Sequence, residues 1–231
     1  MSATGRAFGR SALDQYPTPP WCVQRLLEVV PLVGRGNRFL EPAAGDGAII
    51  RAVTGHGNKK WTAFEIDPRF NAELVATGVE VTRRRQDTVD VVMADFLRAV
   101  RCASISQHFD FGITNPPYGL TAEFVGAMRQ CCRSFALLLP MNYLGTKGRA
   151  ATFRRDMPDV GVLPDRPSFV VKITRRRDGT LRGTTSDNRE YGWFIWPEQP
   201  RPRGELFMLA DTPAADIKAA KALRPRIEVD E

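Results

Sequence analysis

Arg38-Phe39-Leu40-Glu41-Pro42-Ala43-Ala44-Gly45-Asp46-Gly47 runs from a short apolar segment into a glycine-bearing turn, and helical spacing follows from Ala48. Such a passage reads as a strand, a tight turn and a helix start, with the missing side chains at Gly45 and Gly47 letting the backbone approach a ligand closely. A turn that merely closes a strand-helix unit reads the same way, so its weight comes from its surroundings. Outward from it the pattern repeats. Apolar runs at 38–41, 61–66, 91–94, 109–114 and 135–139 alternate with helical stretches at 48–53, 69–76, 97–103, 121–132 and 147–156. Strands alternating with helices build a parallel sheet covered on both faces. Phe135-Ala136-Leu137-Leu138-Leu139 is apolar at every position, as a central strand buried on both sides must be. The expected fold class is α/β, a doubly wound Rossmann-like sheet.

Residues 1–15 carry Gly, Ser and Arg without apolar periodicity and read as a flexible arm. Thr18, Pro19 and Pro20 then have the chemistry to cap and start a helix, with Val23, Leu26, Leu27 and Val30 on its buried face and Pro31 and Gly34 ending it. Beyond Met157, segments 169–173, 191–196 and 206–209 read as strands, and the Gly-, Thr- and Arg-rich stretch 174–189 as a long loop or loose hairpin. The domain is expected to span 16–211, with a small basic insert near 172–190 and a C-terminal tail at 212–231.

The chain has 231 residues, 43% hydrophobic and 26% charged, enough for one sizeable core. No apolar run approaches a membrane span, and the first ten residues lack the apolar stretch of a secretory signal, so a soluble cytoplasmic protein with no membrane partner is expected. Cys22, Cys102, Cys131 and Cys132 include no Cys-x-x-Cys pair, and His56 and His108 are the only histidines. Neither a disulfide framework nor a zinc site is suggested, and no metal is expected. The net charge is +7, and between Gly145 and Tyr191 eleven Lys or Arg face six Asp or Glu. A local basic excess attracts phosphate backbones. Lys172, Arg175, Arg176, Arg177, Arg182 and Arg189 are the candidate nucleic-acid contacts, against the alternative of a solvated loop. Trp193 and Trp196, in Tyr191-Gly192-Trp193-Phe194-Ile195-Trp196, read as core.

Carboxylates recur at predicted strand ends. Glu65, in Phe64-Glu65-Ile66-Asp67-Pro68, stands about 20 residues past the glycines, the spacing of a group that grips ribose hydroxyls. With the glycine turn it points to adenosine binding, a solvated Glu being the alternative. Asp95, in Ala94-Asp95-Phe96, can accept from an adenine amino group with Phe96 flanking the ring, although a surface turn fits too. Ile113-Thr114-Asn115-Pro116-Pro117-Tyr118 follows a buried strand. Consecutive prolines fix the backbone and remove two N–H donors, leaving carbonyls outward as acceptors. An amine then meets two acceptors, the Asn115 side-chain oxygen and the Pro116 carbonyl. Holding both N–H bonds draws its nitrogen toward tetrahedral geometry and aims the lone pair. Tyr118 offers a face for base stacking. The competing reading is a proline-rich structural turn.

With these residues in view the chain resembles the amino-methyltransferases, the adenine-N6 DNA methyltransferases in particular. Tyr16-Pro17-Thr18-Pro19 resembles the family motif beside the cofactor's methionine end. The turn Glu41, Pro42, Ala43, Gly45, Gly47 resembles the cofactor loop in the Glu-Pro form favoured by DNA adenine enzymes. Glu65, Ile66 and Asp67 are similar to the ribose motif, Asp95 and Phe96 to the adenine contact, and Asn115, Pro116, Pro117 and Tyr118 to the catalytic tetrapeptide. The resemblance covers about the first 145 residues, in the family's unpermuted order. It implies S-adenosylmethionine as cofactor and in-line transfer to a base flipped from the stack, with no metal and no covalent intermediate. It also implies nucleic acid as partner, DNA favoured over RNA, and the leading Asn favours adenine N6 over cytosine N4. One departure is that only about 60 to 80 residues remain where relatives often carry a target-recognition domain, less than an ordinary domain. Competing substrates are structured RNA and a protein glutamine side chain, and a catalytically silent nucleic-acid-binding protein is the alternative of another class.

Overall fold

Five strands, β1 (Arg38–Glu41), β2 (Lys60–Glu65), β3 (Thr88–Met93), β4 (Phe109–Thr114) and β5 (Cys132–Pro140), lie parallel in the order β3-β2-β1-β4-β5. They belong to a computed structural model that describes residues 17–32, 35–53, 58–85, 87–105, 108–169, 171–175, 181–185, 189–223 and 226–229. Beyond β5 the sheet continues through β9 (Tyr191–Trp196), antiparallel to both β5 and β6 (Asp159–Val162), and ends at β10 (Leu206–Met208), parallel to β6. The α/β reading holds, with a mostly parallel central sheet of eight strands.

Two core layers explain the uniformly apolar strands. Along β5, Ala136 and Leu138 join one cluster with Phe39, Trp61, Phe111 and Trp193, while Phe135, Leu137 and Leu139 join the other with Leu40, Phe64, Phe194 and Trp196. A period of two thus feeds both faces. The first face is covered by α1 (Pro20–Val29), α2 (Ala48–Ala52) and α3 (Asn71–Arg85); the second by α4 (Phe96–Arg101), α5 (Thr121–Cys131) and α6 (Lys147–Phe153). Trp193 and Trp196 are fully buried, as expected of core, and the Trp193 indole N–H donates to the Cys22 carbonyl (2.7 Å), tying α1 to β9. All four cysteines are free thiols. No helix among the described residues is long and apolar enough to cross a membrane.

Several local expectations need correction. Pro19, not Thr18, occupies the N-cap of α1 and no side chain caps that helix; Pro20 starts it because its fixed φ and absent N–H cost nothing there. Helix α3 runs on to Arg85, past the expected end at 76, since Leu74 and Val81 bury against the sheet although Val75, Ala76, Val79 and Glu80 between them are exposed. The short β6, Asp-Val-Gly-Val, lacked a readable pattern. The expected strand 169–173 begins at Val171, as β7 (Val171–Arg175), which pairs antiparallel with β8 (Leu181–Thr185). The segment set apart as a C-terminal tail carries α7 (Ala214–Ala222) and β11 (Arg226–Val229). Helix α7 packs on α1, and β11 adds parallel to β7, completing a three-stranded sheet in the order β11-β7-β8.

Candidate functional site

The chain proceeds outward from β1 through β2 to β3 and then returns to place β4 on the other side of β1. Such a reversal opens a crevice at the carboxyl ends of the strands. Here it forms a cleft of about 300 Å³, at the lower end of the range for small-molecule sites. Lining it are Pro17 and Thr18 from before α1, Glu41, Pro42, Ala43 and Gly45 after β1, Glu65 and Ile66 after β2, Asp95 and Phe96 after β3, and Asn115, Pro116 and Pro117 after β4. The motifs spread along the sequence thus converge because each terminates one of four adjacent strands.

The glycine loop is shaped by its own backbone. The Ala44 N–H donates to the Phe64 carbonyl (2.9 Å) and the Gly47 N–H to that of Ala44 (2.8 Å). Gly45 and Gly47 adopt φ of 54° and 81°, a region other residues enter at a cost. Their roles diverge. A Cβ on Gly45 would meet nothing within 4 Å, so this side of the loop stands open to the cleft. A Cβ on Gly47 would come within 2.8 Å of Thr77 Cγ2, and Gly47 does not line the cleft. Its missing side chain serves the packing of α2 on α3.

Glu65 does more than the sequence indicated. Its Oε2 accepts from the Gly45 N–H (2.7 Å), and Oε1 accepts from the N–H groups of Ile66 and Asp67 (2.8 Å each). The carboxylate stitches the β1 turn to the β2 turn, using three of about four acceptor positions. Only the remainder can receive a ligand hydroxyl. Glu41 is its opposite: 1% exposed, with Oε2 lacking any hydrogen-bond partner among the described residues. Burial, then the Asp46 and Glu65 carboxylates, push its pKa well above the ordinary range against the opposing pull of Arg51 and the Ile50 N–H. An orphaned, cleft-lining carboxyl of this kind is a seat for a cationic or hydrogen-bond-donating group.

Asp95 caps α4, its Oδ1 accepting from the Arg98 N–H (3.2 Å). Phe96 turns its ring partly into the core, 5.5 Å from Phe64 and 5.8 Å from Phe124. Ile66, by contrast, is 54% exposed on the cleft wall. At the tetrapeptide, the Tyr118 hydroxyl donates to Asn115 Oδ1 (3.0 Å), and no donor among the described residues reaches the Pro116 carbonyl. Tyr118 is half-buried and stands beside the cleft, its ring 5.8 Å from that of Tyr191, which is itself edge-on to Phe169 at 5.2 Å.

Tyr16, Arg176 and Arg177 lie outside the described residues. Lys172 and Arg175 fall on β7 and Arg182 on β8, while Arg189 is exposed just before β9. Asp67, the last residue of the ribose-like motif, also lines the cleft and accepts from the Arg69 N–H (3.0 Å). Sequence reasoning missed Phe70, Leu120 and Phe124, which line it too. Leu120 and Phe124, four apart at the head of α5, looked like ordinary core spacing.

No family model matches the sequence. The type II methyltransferase M.TthHB8I of Thermus thermophilus is 32% identical over 125 residues, 53% of this chain and 24% of that protein. The chain therefore spans about a quarter of the length of this relative. Among solved structures, a putative RNA methyltransferase from Pyrococcus horikoshii aligns with a TM-score of 0.54 at 13% identity, over 83% of this chain and 91% of that one. TrmK of M. capricolum, in complex with the cofactor product S-adenosyl-homocysteine, aligns with a TM-score of 0.50 at 10% identity, over 84% and 73%. By its strand order and by these likenesses, the chain has the α/β fold of the Rossmann-like methyltransferases.

Proposed function

We propose that the chain is an S-adenosylmethionine-dependent methyltransferase acting on the N6 amino group of adenine in DNA. The observation that carries this reading is the convergence, in one cleft, of Glu41, Gly45, Glu65 and Asp95 with Asn115 and Pro116.

The residues present fit the cofactor. Gly45 leaves the loop open, the orphaned Glu41 oxygen awaits a cation, Asp95 retains an oxygen for an amino group, and Ile66 presents an apolar face. These four, with the fourth acceptor position of Glu65, would hold the ammonium, the ribose and the adenine. The fold shared with a TrmK that binds S-adenosyl-homocysteine supports the same choice. When bound, the cofactor supplies an electrophilic methyl group on a sulfonium.

Everything else falls to the chain. Asn115 Oδ1 accepts a hydrogen bond from the Tyr118 hydroxyl, which an incoming amine N–H would replace. The Pro116 carbonyl, which no donor among the described residues engages, would take the other N–H. Two acceptors on one amine orient its lone pair toward the cleft and turn a weak nucleophile into a positioned one. The half-buried cleft wall keeps bulk water from competing for those acceptors. Tyr118 is the ring on which a base drawn from the stack would lie. DNA is preferred because the Glu41-Pro42 form of the loop resembles the DNA adenine enzymes and because the 125-residue match is to a type II methyltransferase.

The test is incubation with labelled S-adenosylmethionine and, separately, duplex DNA, structured RNA and a protein extract. Label should enter DNA and reside in N6-methyladenine. Label in RNA alone would change the polymer, and label in protein alone would end the nucleic-acid reading.

A further inference from the structure

Helix α6 leaves the same edge of the sheet as the tetrapeptide. It follows the turn Met141–Leu144 at the end of β5. Pro140 is the register partner of Tyr191, whose ring lies against Tyr118, and the Met141 N–H donates to the Glu190 carbonyl (2.9 Å). The helix is held firmly. Phe153 stands edge-on to the buried Tyr143 at 5.9 Å, and Arg149 lays its guanidinium 4.1 Å over the Tyr143 ring while its Nε donates to the Tyr143 carbonyl (2.7 Å). Arg149 is thus a brace.

Three other cations on this element have no such duty. Lys147, Arg154 and Arg155 are exposed and form no ion pair among the described residues. The next acid in sequence, Asp156, is taken by Arg129 (2.6 and 2.9 Å). From Met141 to Arg155 the chain contains no Asp or Glu at all. Between the cations the outer surface is Gly148, Ala151 and Thr152, low enough for a polyanion to come close.

The position of α6 is as informative as its charge. Tyr143 and Phe153 belong to the second core face. Leu163 and Phe169, on the stretch that leads from β6 to the β7–β8 hairpin, belong to the first core face. The two basic segments therefore leave the carboxyl edge of the sheet beside opposite core faces, and Asn115–Tyr118 follows β4 at that same edge.

We infer that α6 and the two residues after it form a second phosphate-binding ridge, Lys147, Arg154 and Arg155, which grips the DNA backbone across the active site from the hairpin. The inference rests on the nucleic-acid reading of the site and adds a surface to it. A solvated helix face would explain exposure alone, but not the absence of any acid over fifteen residues beside the substrate-facing edge.

The experiment measures the affinity of the full chain for a mixed-sequence DNA duplex by fluorescence anisotropy between 50 and 200 mM salt, for wild type, K147A/R154A/R155A and the charge-keeping K147R/R154K/R155K. Loss of three phosphate contacts should flatten the log–log salt slope by about 2 to 3 and weaken binding by about tenfold or more. The charge-keeping variant should retain the wild-type slope, and thermal stabilisation by S-adenosyl-homocysteine should be the same in all three. An unchanged slope in the alanine variant overturns the ridge, as does equal loss in both variants or a dependence seen with duplex RNA and not with DNA. Wild type that grips DNA through α6 but transfers no methyl group would leave the ridge standing and sink the methyltransferase reading. Methyl transfer with a slope indifferent to α6 would do the reverse.

Discussion

Replacing Glu41 by Gln should stabilise the ligand-free chain and weaken its hold on the cofactor at the same time. Glu41 is 1% exposed, one oxygen has no partner among the described residues, and the carboxylates of Asp46 and Glu65 repel its charge. An unsatisfied buried polar atom costs about 1 to 3 kcal/mol. Gln keeps the shape, removes the charge and offers an N–H₂ to the acidic surroundings, so most of that cost should be recovered. For a chain of this size each kcal/mol moves Tm by about 2 to 4 °C, which puts the expected rise at about 2 to 10 °C. The pH dependence supplies the sign. Because the folded pKa is raised above the unfolded one, the stability linked to Glu41 is fully present below the unfolded pKa and is lost as pH rises toward the folded value. The gap between variant and wild type should therefore be small near pH 4 and widen toward neutrality. The cofactor side runs the other way. A charge-assisted hydrogen bond to an ammonium is worth about 1.5 to 3 kcal/mol, so the variant should bind S-adenosyl-homocysteine about 10- to 100-fold more weakly. In wild type, binding should also release a proton from Glu41 and tighten as pH rises. Differential scanning calorimetry with and without S-adenosyl-homocysteine, at pH 5 and pH 8, reads both effects. A ligand-free variant that melts below wild type at pH 8, or one that binds the ligand as tightly as wild type, would refute the assignment of Glu41 as an unpaired seat for a cation.

The same site supports three further expectations. Asn115→Ala should lower turnover by about two to three orders of magnitude, as loss of a preorganised polar contact does elsewhere, while leaving the S-adenosyl-homocysteine thermal shift intact; normal turnover would remove Asn115 from the chemistry. Tyr118→Phe keeps the ring against Tyr191 and loses the hydroxyl's bond to Asn115 Oδ1, so it should retain most activity, whereas Tyr118→Ala should cost about 1 to 3 kcal/mol of stacking in KM or in base extrusion. Equal effects of the two changes would mean that the hydroxyl, not the ring, matters. Gly45→Ala and Gly47→Ala should separate ligand from packing. Both place a methyl at positive φ at a cost of about 1 to 2 kcal/mol, but only Gly47→Ala also collides with Thr77, and only Gly45→Ala intrudes on the open side of the loop. Calorimetry should therefore find Gly47→Ala the less stable and ligand titration should find Gly45→Ala the weaker binder.

What could be read in advance followed from where the chain changes periodicity. Strands β1, β4 and β9 matched their expected bounds because each sends buried apolar residues into both core layers and is closed by a turn residue or by a charge. The cleft was legible for a related reason. In a doubly wound sheet every parallel strand points its carboxyl end the same way, so Glu41, Glu65, Asp95 and Asn115, each closing or just following a strand in the sequence, had to meet once the strands became neighbours. Contacts made within that meeting were not legible. That Glu65 would bond three backbone N–H groups depends on how two turns abut, and that Gly47 would lie against Thr77 depends on the approach of α3. Neither distance is encoded in a spacing. The C-terminal helix α7 escaped because its sequence is amphipathic only weakly, and its single well-buried residue, Ala220, carries little apolar signal. Its placement still decides something about the site. By packing on α1, α7 braces the helix into which Pro17 and Thr18, both on the wall of the cleft, lead.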